Sequence, residues 1–146
     1  MASQNFTDIQ QKTIISAIKK AELNTGGEVR VHIENHCKLP NVLDRASEVF
    51  AILKMHKTKL RNGVLFYLAL KDHKFAILGD AGINKVVPPD FWDKIKDHCI
   101  AMFKEGKYTE GLSDGILMAG EQLKIHFPYM SDDVNELSDE ISFGNN

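Results

Sequence analysis

Residues 62–80 read NGVLFYLALKDHKFAILGD, and no other stretch limits the fold as much. Residues 64–70 are apolar and too short for a solvent-facing helix. They place aromatic and β-branched side chains toward both faces, which fits a strand covered on each side. Lys71, Asp72 and His73 break the run with a polar reversal. Residues 75–78 then resume it as the returning arm of a hairpin. This hairpin is expected at the centre of a single sheet that the rest of the chain covers.

Upstream, Thr7 and Gln10 have the spacing of a capping box, and Ile9, Ile14, Ala17, Ile18 and Ala21 recur at helical spacing. A helix is therefore expected over 7–23, stopped by Asn24-Thr25-Gly26-Gly27. Residues 28–33 alternate, with Val29, Val31 and Ile33 on one side and Arg30 and His32 on the other. That pattern predicts a strand at a sheet edge, with His32 partly exposed. A second helix is expected over 41–58, with Val42, Ala46, Val49, Phe50 and Leu53 among its apolar stripe. Strand, helix and strand make a right-handed crossover, so 28–33 and 63–70 should run parallel and the third strand antiparallel to the second. Pro88-Pro89 then admits a third helix with Asp90 in its first turn and Cys99 facing inward, and a last helix covers 108–126. The expected fold class is α/β, a small mixed sheet of three to four strands sandwiched between about four helices.

A chain of 146 residues fits one domain, expected over 1–127. Its net charge of -2 gives no global field that would draw it to nucleic acid or a membrane surface. The charge is unevenly spread. Residues 128–146 carry Asp132, Asp133, Glu136, Asp139 and Glu140 and no base, and read as a flexible acidic tail, either disordered or loosely docked. Lys54, Lys57, Lys59 and Arg61 form a basic patch, which is either a solvated face or a dock for phosphate, an acidic partner or the tail. The start MASQNFTDIQ has neither the basic region nor the apolar core of a signal peptide, and no apolar run is long enough to insert in a membrane. A cytoplasmic protein with two reduced cysteines, Cys37 and Cys99, is expected.

No phosphate-binding glycine loop, dinucleotide fingerprint, HExxH pair, EF-hand loop or cysteine-rich metal pattern occurs, and no nucleophile stands beside an oriented base. The catalytic residues are therefore unknown. The expected topology gathers more: the starts of the first two strands and the end of the third share one rim. That rim collects Gly26, Gly27, Glu28, Arg61, Asn62, Gly63, Gly79 and Asp80, with Asp90 close by. Two carboxylates and an amide oxygen are hard ligands of the kind calcium or magnesium takes. The same groups also serve as ordinary turn and cap partners, with Glu28 paired to Arg61. Both readings stand at this point.

Four pieces in order, TGGEVRVHI at 25–33, RNGVLFYLAL at 61–70, KFAILGDAGINKVVPP at 74–89 and FKEGKYTEGLSDGI at 103–116, resemble the TPM domain family. The family is named from a thylakoid-lumen protein, a photosystem-repair protein and a receptor modulator. The resemblance implies an α/β sandwich, calcium binding and acid phosphatase activity in plant members, and a role in photosystem II repair for some. Carried over, Glu28, Asn62 and Asp80 match the family's polar positions, with Asp90 and Asp114 in further matching segments; in the phosphohydrolase reading Glu28, Asp80 and Asp90 hold the ion while Asn62 and Arg61 orient phosphate. Many members are exported and anchored, and calcium is scarce in a cytoplasm, so magnesium is an equal candidate. The expected function is an accessory or protein-interaction module with a weak divalent-cation site. The alternative is a metal-dependent acid-phosphatase-like hydrolase.

Overall fold

The computed structural model describes residues 2–130 and 136–146. Among these residues the sheet has four strands: β1 (Glu28–Glu34), β2 (Gly63–Ala69), β3 (Lys74–Gly79) and β4 (Ser142–Phe143), in spatial order β3-β2-β1-β4. β1 and β2 are parallel, with Val31 opposite Phe66, and β2 and β3 are antiparallel, with Phe66 opposite Ile77. The apolar run at 63–69 is buried along its whole length, because helices cover both faces.

Among the described residues five α-helices surround the sheet: α1 (Asp8–Glu22), α2 (Val42–Ile52), α3 (Ala81–Asn84), α4 (Asp93–Lys104) and α5 (Tyr108–His126). The capping box starts α1: the Gln10 N–H donates to Thr7 Oγ1 at 3.1 Å and the Thr7 N–H donates to Gln10 Oε1 at 2.9 Å. Helices α1, α4 and α5 lie on one face, over Val29, Val31, Ile33, Val64, Phe66 and Leu68. On the other face α2 packs Ala46, Val49 and Phe50 against Leu65, Tyr67 and Ala76. Where α1 and α5 cross, Gly120 lies so near that a Cβ there would sit 2.6 Å from the Ala21 Cα. Only a residue without a side chain permits that approach.

Four expectations need correction. β1 is not an edge strand, because β4 pairs with it in parallel, His32 opposite Ser142 and Ile33 opposite Phe143. His32 is accordingly buried. The second helix ends at Ile52, since Lys54 takes a left-handed conformation (φ 57°) and a short 3-10 turn, Met55–Lys57, follows. The helix after Pro88-Pro89 begins at Asp93, because the chain first makes turns closed by Phe91 N–H to Pro88 O and Asp93 N–H to Asp90 O.

Of residues 128–146, positions 131–135 with Asp132 and Asp133 lie outside the described residues. The start of this segment is tied to the loop after α1: the Gly26 N–H donates to Phe127 O at 2.9 Å and the Tyr129 N–H to Asn24 O at 3.1 Å. Its last part runs beside β1 and ends with the Asn146 side chain bonded to the backbone at Asn35 and His36. Cys37 and Cys99 are both free thiols, and Cys99 is fully buried.

Candidate functional site

The rim of the sheet holds two separate arrangements where one pocket was expected. In the first, Asp80 follows β3 and caps α3, its Oδ1 accepting the Ala81 N–H at 2.7 Å. Both its oxygens also accept from Arg61, Nε to Oδ2 and Nη2 to Oδ1, each at 2.8 Å. Arg61 is held left-handed (φ 52°) to make this fork. The pair lines a cavity of about 400 Å³ with His56, Ser47 and Asn84. Asn62 turns away from it, donating through Nδ2 to Gly26 O at 2.9 Å and so tying the starts of β1 and β2 together.

In the second, Glu28 lies where β1 leaves the glycine loop. It is only 3% exposed. Its Oε1 accepts the backbone N–H of Glu136 at 2.7 Å and of Leu137 at 2.6 Å, so the C-terminal segment is pinned by a carboxylate. Its Oε2 is buried and has no hydrogen-bond partner among the described residues. Glu22, at the end of α1, accepts the Val29 N–H at 3.0 Å and hydrogen-bonds the Asp139 carboxyl. Burial, then the bond to Asp139, pushes Glu22 up to about 9. Burial raises Glu28 to about 7, against the two backbone donors that pull it down. Glu22, Glu28 and Asp139 line one cavity of about 330 Å³, with Lys19, Tyr129 and the 24–27 loop.

The expected pairing of Glu28 with Arg61 is thus replaced by Arg61 with Asp80, because the left-handed Arg61 aims its fork at β3. Glu28 and Asp80 line different cavities, and Asp90 is exposed and lines neither of them. Among the described residues no three His, Cys, Asp or Glu side chains converge as they stand on a point where they would hold a metal ion. The Arg61 fork, wanted as a phosphate clamp, already spends two of its nitrogens on Asp80.

Sequence reasoning missed a third cluster, under α2. Glu34 is fully buried and accepts from Arg45 Nε and Nη2, each at 2.9 Å, from the Tyr67 hydroxyl, and from His32 at 3.1 Å. Burial alone would raise Glu34, but the bonds from Arg45, Tyr67 and His32 outweigh it and bring the carboxyl to about 2. The other ring nitrogen of His32 meets Ser142 Oγ of β4 at 2.8 Å. The available signal was Arg45 within an apolar helix stripe, opposite an acid at the end of a buried strand.

These motifs and this sheet match known proteins. A family model for the TPM domain matches residues 2–122. The chain belongs to the TPM domain family. Among solved structures, the TPM chain is similar to the BA42 protein of the psychrophilic bacterium Bizionia argentinensis, with 48% identity over 95% of each chain and a TM-score of 0.88. Two more distant likenesses bear on the fold alone. The N-terminal domain of cg2496 from Corynebacterium glutamicum shares 9% identity over 92% of this chain and 83% of its own, with a TM-score of 0.68. The N-terminal domain of a P. gingivalis protein shares 20% over 86% and 82%, with a TM-score of 0.65. No curated protein matches the sequence. Among the described residues no helix is long and apolar enough to cross a membrane.

Proposed function

We propose that this TPM domain is an accessory module that binds a divalent cation, calcium or magnesium, when Glu22, Glu28 and Asp139, which do not converge on one point as they stand, close around it beneath the C-terminal segment. The reading keeps Glu28 from the sequence expectation and takes Glu22 and Asp139 in place of Asp80 and Asp90. The observation that carries it is the buried Oε2 of Glu28, which has no hydrogen-bond partner among the described residues. A buried carboxylate oxygen without a donor is expensive to maintain, and a hard cation is the partner its chemistry lacks. Glu22 and Asp139 stand close enough to share a hydrogen bond, so one proton occupies a place where an ion would neutralise more charge. Binding then exchanges protons for the cation, and affinity rises with pH through about 7 and 9, where Glu28 and Glu22 ionise.

Titration with calcium and with magnesium, followed by backbone amide shifts, tests this. The reading expects saturable changes at 24–29 and 136–140, larger at higher pH. Changes confined to 61–63 and 79–82, or none at millimolar ion, would contradict it.

A further inference from the structure

A different cavity, remote in sequence from the carboxylates, lies where the β2–β3 turn meets α4 and α5. It has a volume of about 150 Å³. Leu68, Phe75, Ile100 and Phe103 line it with carbon, and His73, Lys104 and Tyr108 are its polar residues. The aromatic rings are set against one another. Phe75 meets Phe103 edge-on, with centroids 5.0 Å apart and planes at 85°, and Phe103 stacks on Tyr108 at 5.2 Å and 21°. A dry apolar cavity of about this volume accommodates one benzene ring. The polar residues are not arbitrary either. Lys104 and His73 are both exposed, the Tyr108 hydroxyl lies 3.5 Å from His73 Nδ1, and among the described residues no acidic side chain lines the cavity. His73 holds a left-handed backbone (φ 54°), which turns the hairpin tip toward α5.

Apolar walls, a lysine ammonium and hydrogen-bonding groups without a competing carboxylate select a ligand that is flat, small and negatively charged at one end. We propose that this cavity binds a small aromatic carboxylate, its ring among Leu68, Phe75 and Phe103 and its carboxylate at Lys104 and Tyr108. This site is independent of the cation reading, since it shares no residue with that cavity.

The test titrates the full chain with benzoate, with benzylamine as the oppositely charged probe of the same shape, and follows amide and aromatic side-chain shifts. The expected result is saturable benzoate binding, with a dissociation constant on the order of millimolar for so small a ligand, reported at 68, 73, 75 and 100–108. Benzylamine should bind about tenfold more weakly or worse. Lys104→Gln alters an exposed residue and should weaken benzoate about three- to tenfold. Ile100→Phe fills the cavity and should abolish binding. Absence of benzoate shifts at these residues, equal binding of benzylamine, or benzoate binding unchanged in either variant would each overturn the proposal.

Discussion

Replacing Glu28 by Gln should stabilise the cation-free protein, contrary to what loss of a buried polar contact ordinarily does. The Gln amide oxygen can still accept the N–H groups of Glu136 and Leu137, which in the wild type reach Glu28 Oε1 at 2.7 and 2.6 Å. What the substitution removes is a charge that the fold holds in an unfavourable place, with its carboxyl raised from 4.5 to about 7. A group raised in the fold contributes stability that is complete below its unfolded value of 4.5 and is lost as pH rises through about 7. The full shift converts to about 3 kcal/mol. Solvent reaching the half-buried neighbours screens it to about 1–2 kcal/mol. For a chain of this length that is roughly 3–8 °C in Tm. Thermal unfolding by circular dichroism, in chelator and in excess calcium at about pH 5 and pH 8, reads every term. The variant should melt higher than the wild type at pH 8 in chelator, and near it at pH 5. Calcium at about a hundred times its dissociation constant should stabilise the wild type by about 2.7 kcal/mol and the variant by far less. A variant that melts lower at both pH values and still gains fully from calcium would refute the reasoning.

Asp80→Asn breaks the fork to Arg61, whose side chain is 49% exposed and screened by solvent, so the loss should be small in chemical denaturation, with the calcium response intact. Glu34→Ala strips the buried Arg45 guanidinium of both its bonds to Glu34 and leaves it only the half-exposed Glu48, 3.0 Å from Nη1, which should cost about 3 kcal/mol by the same measurement. Because Glu34 is held down near 2, its contribution is present above 4.5 and should disappear as pH falls through about 2, visible as acid unfolding that the Glu34→Gln variant does not share. Gly120→Ala drives a methyl against the Ala21 backbone and should destabilise by about 1–3 kcal/mol or more, read as a drop in the urea midpoint.

The scaffold was legible because its signals are local. The 62–80 hairpin, the Thr7–Gln10 box and the strand-helix-strand order each sit within a short window, and each is present in the structure. The final strand was not legible. Two paired residues, Ser142 and Phe143, leave no periodicity to read, yet they turn β1 from an edge into an interior strand and bury His32. The rim was half legible. That three turns meet there follows from topology, and Asn62 bonded to Gly26 O reflects it. Which side chains share a cavity depends on the direction each one leaves the backbone. Arg61 reaches Asp80 through a left-handed backbone that nothing in its local sequence announces. Glu22 looks like an ordinary helix-end acid, and its partner Asp139 is far away in sequence, so only tertiary structure joins them. Glu34 and Arg45 were hidden for the opposite reason, since an apolar pattern absorbs an occasional charged residue without showing whether two such residues meet.

The most direct measurement is the position of a manganese ion, found by its anomalous scattering in crystals grown with the metal at about pH 8. The account predicts one strong peak among the carboxylates of Glu22, Glu28 and Asp139, with Glu28 Oε2, which has no donor among the described residues, as a ligand. A peak at Asp80 with the Arg61 fork displaced, or a cavity beneath the C-terminal segment that stays without metal at saturating manganese, would contradict it.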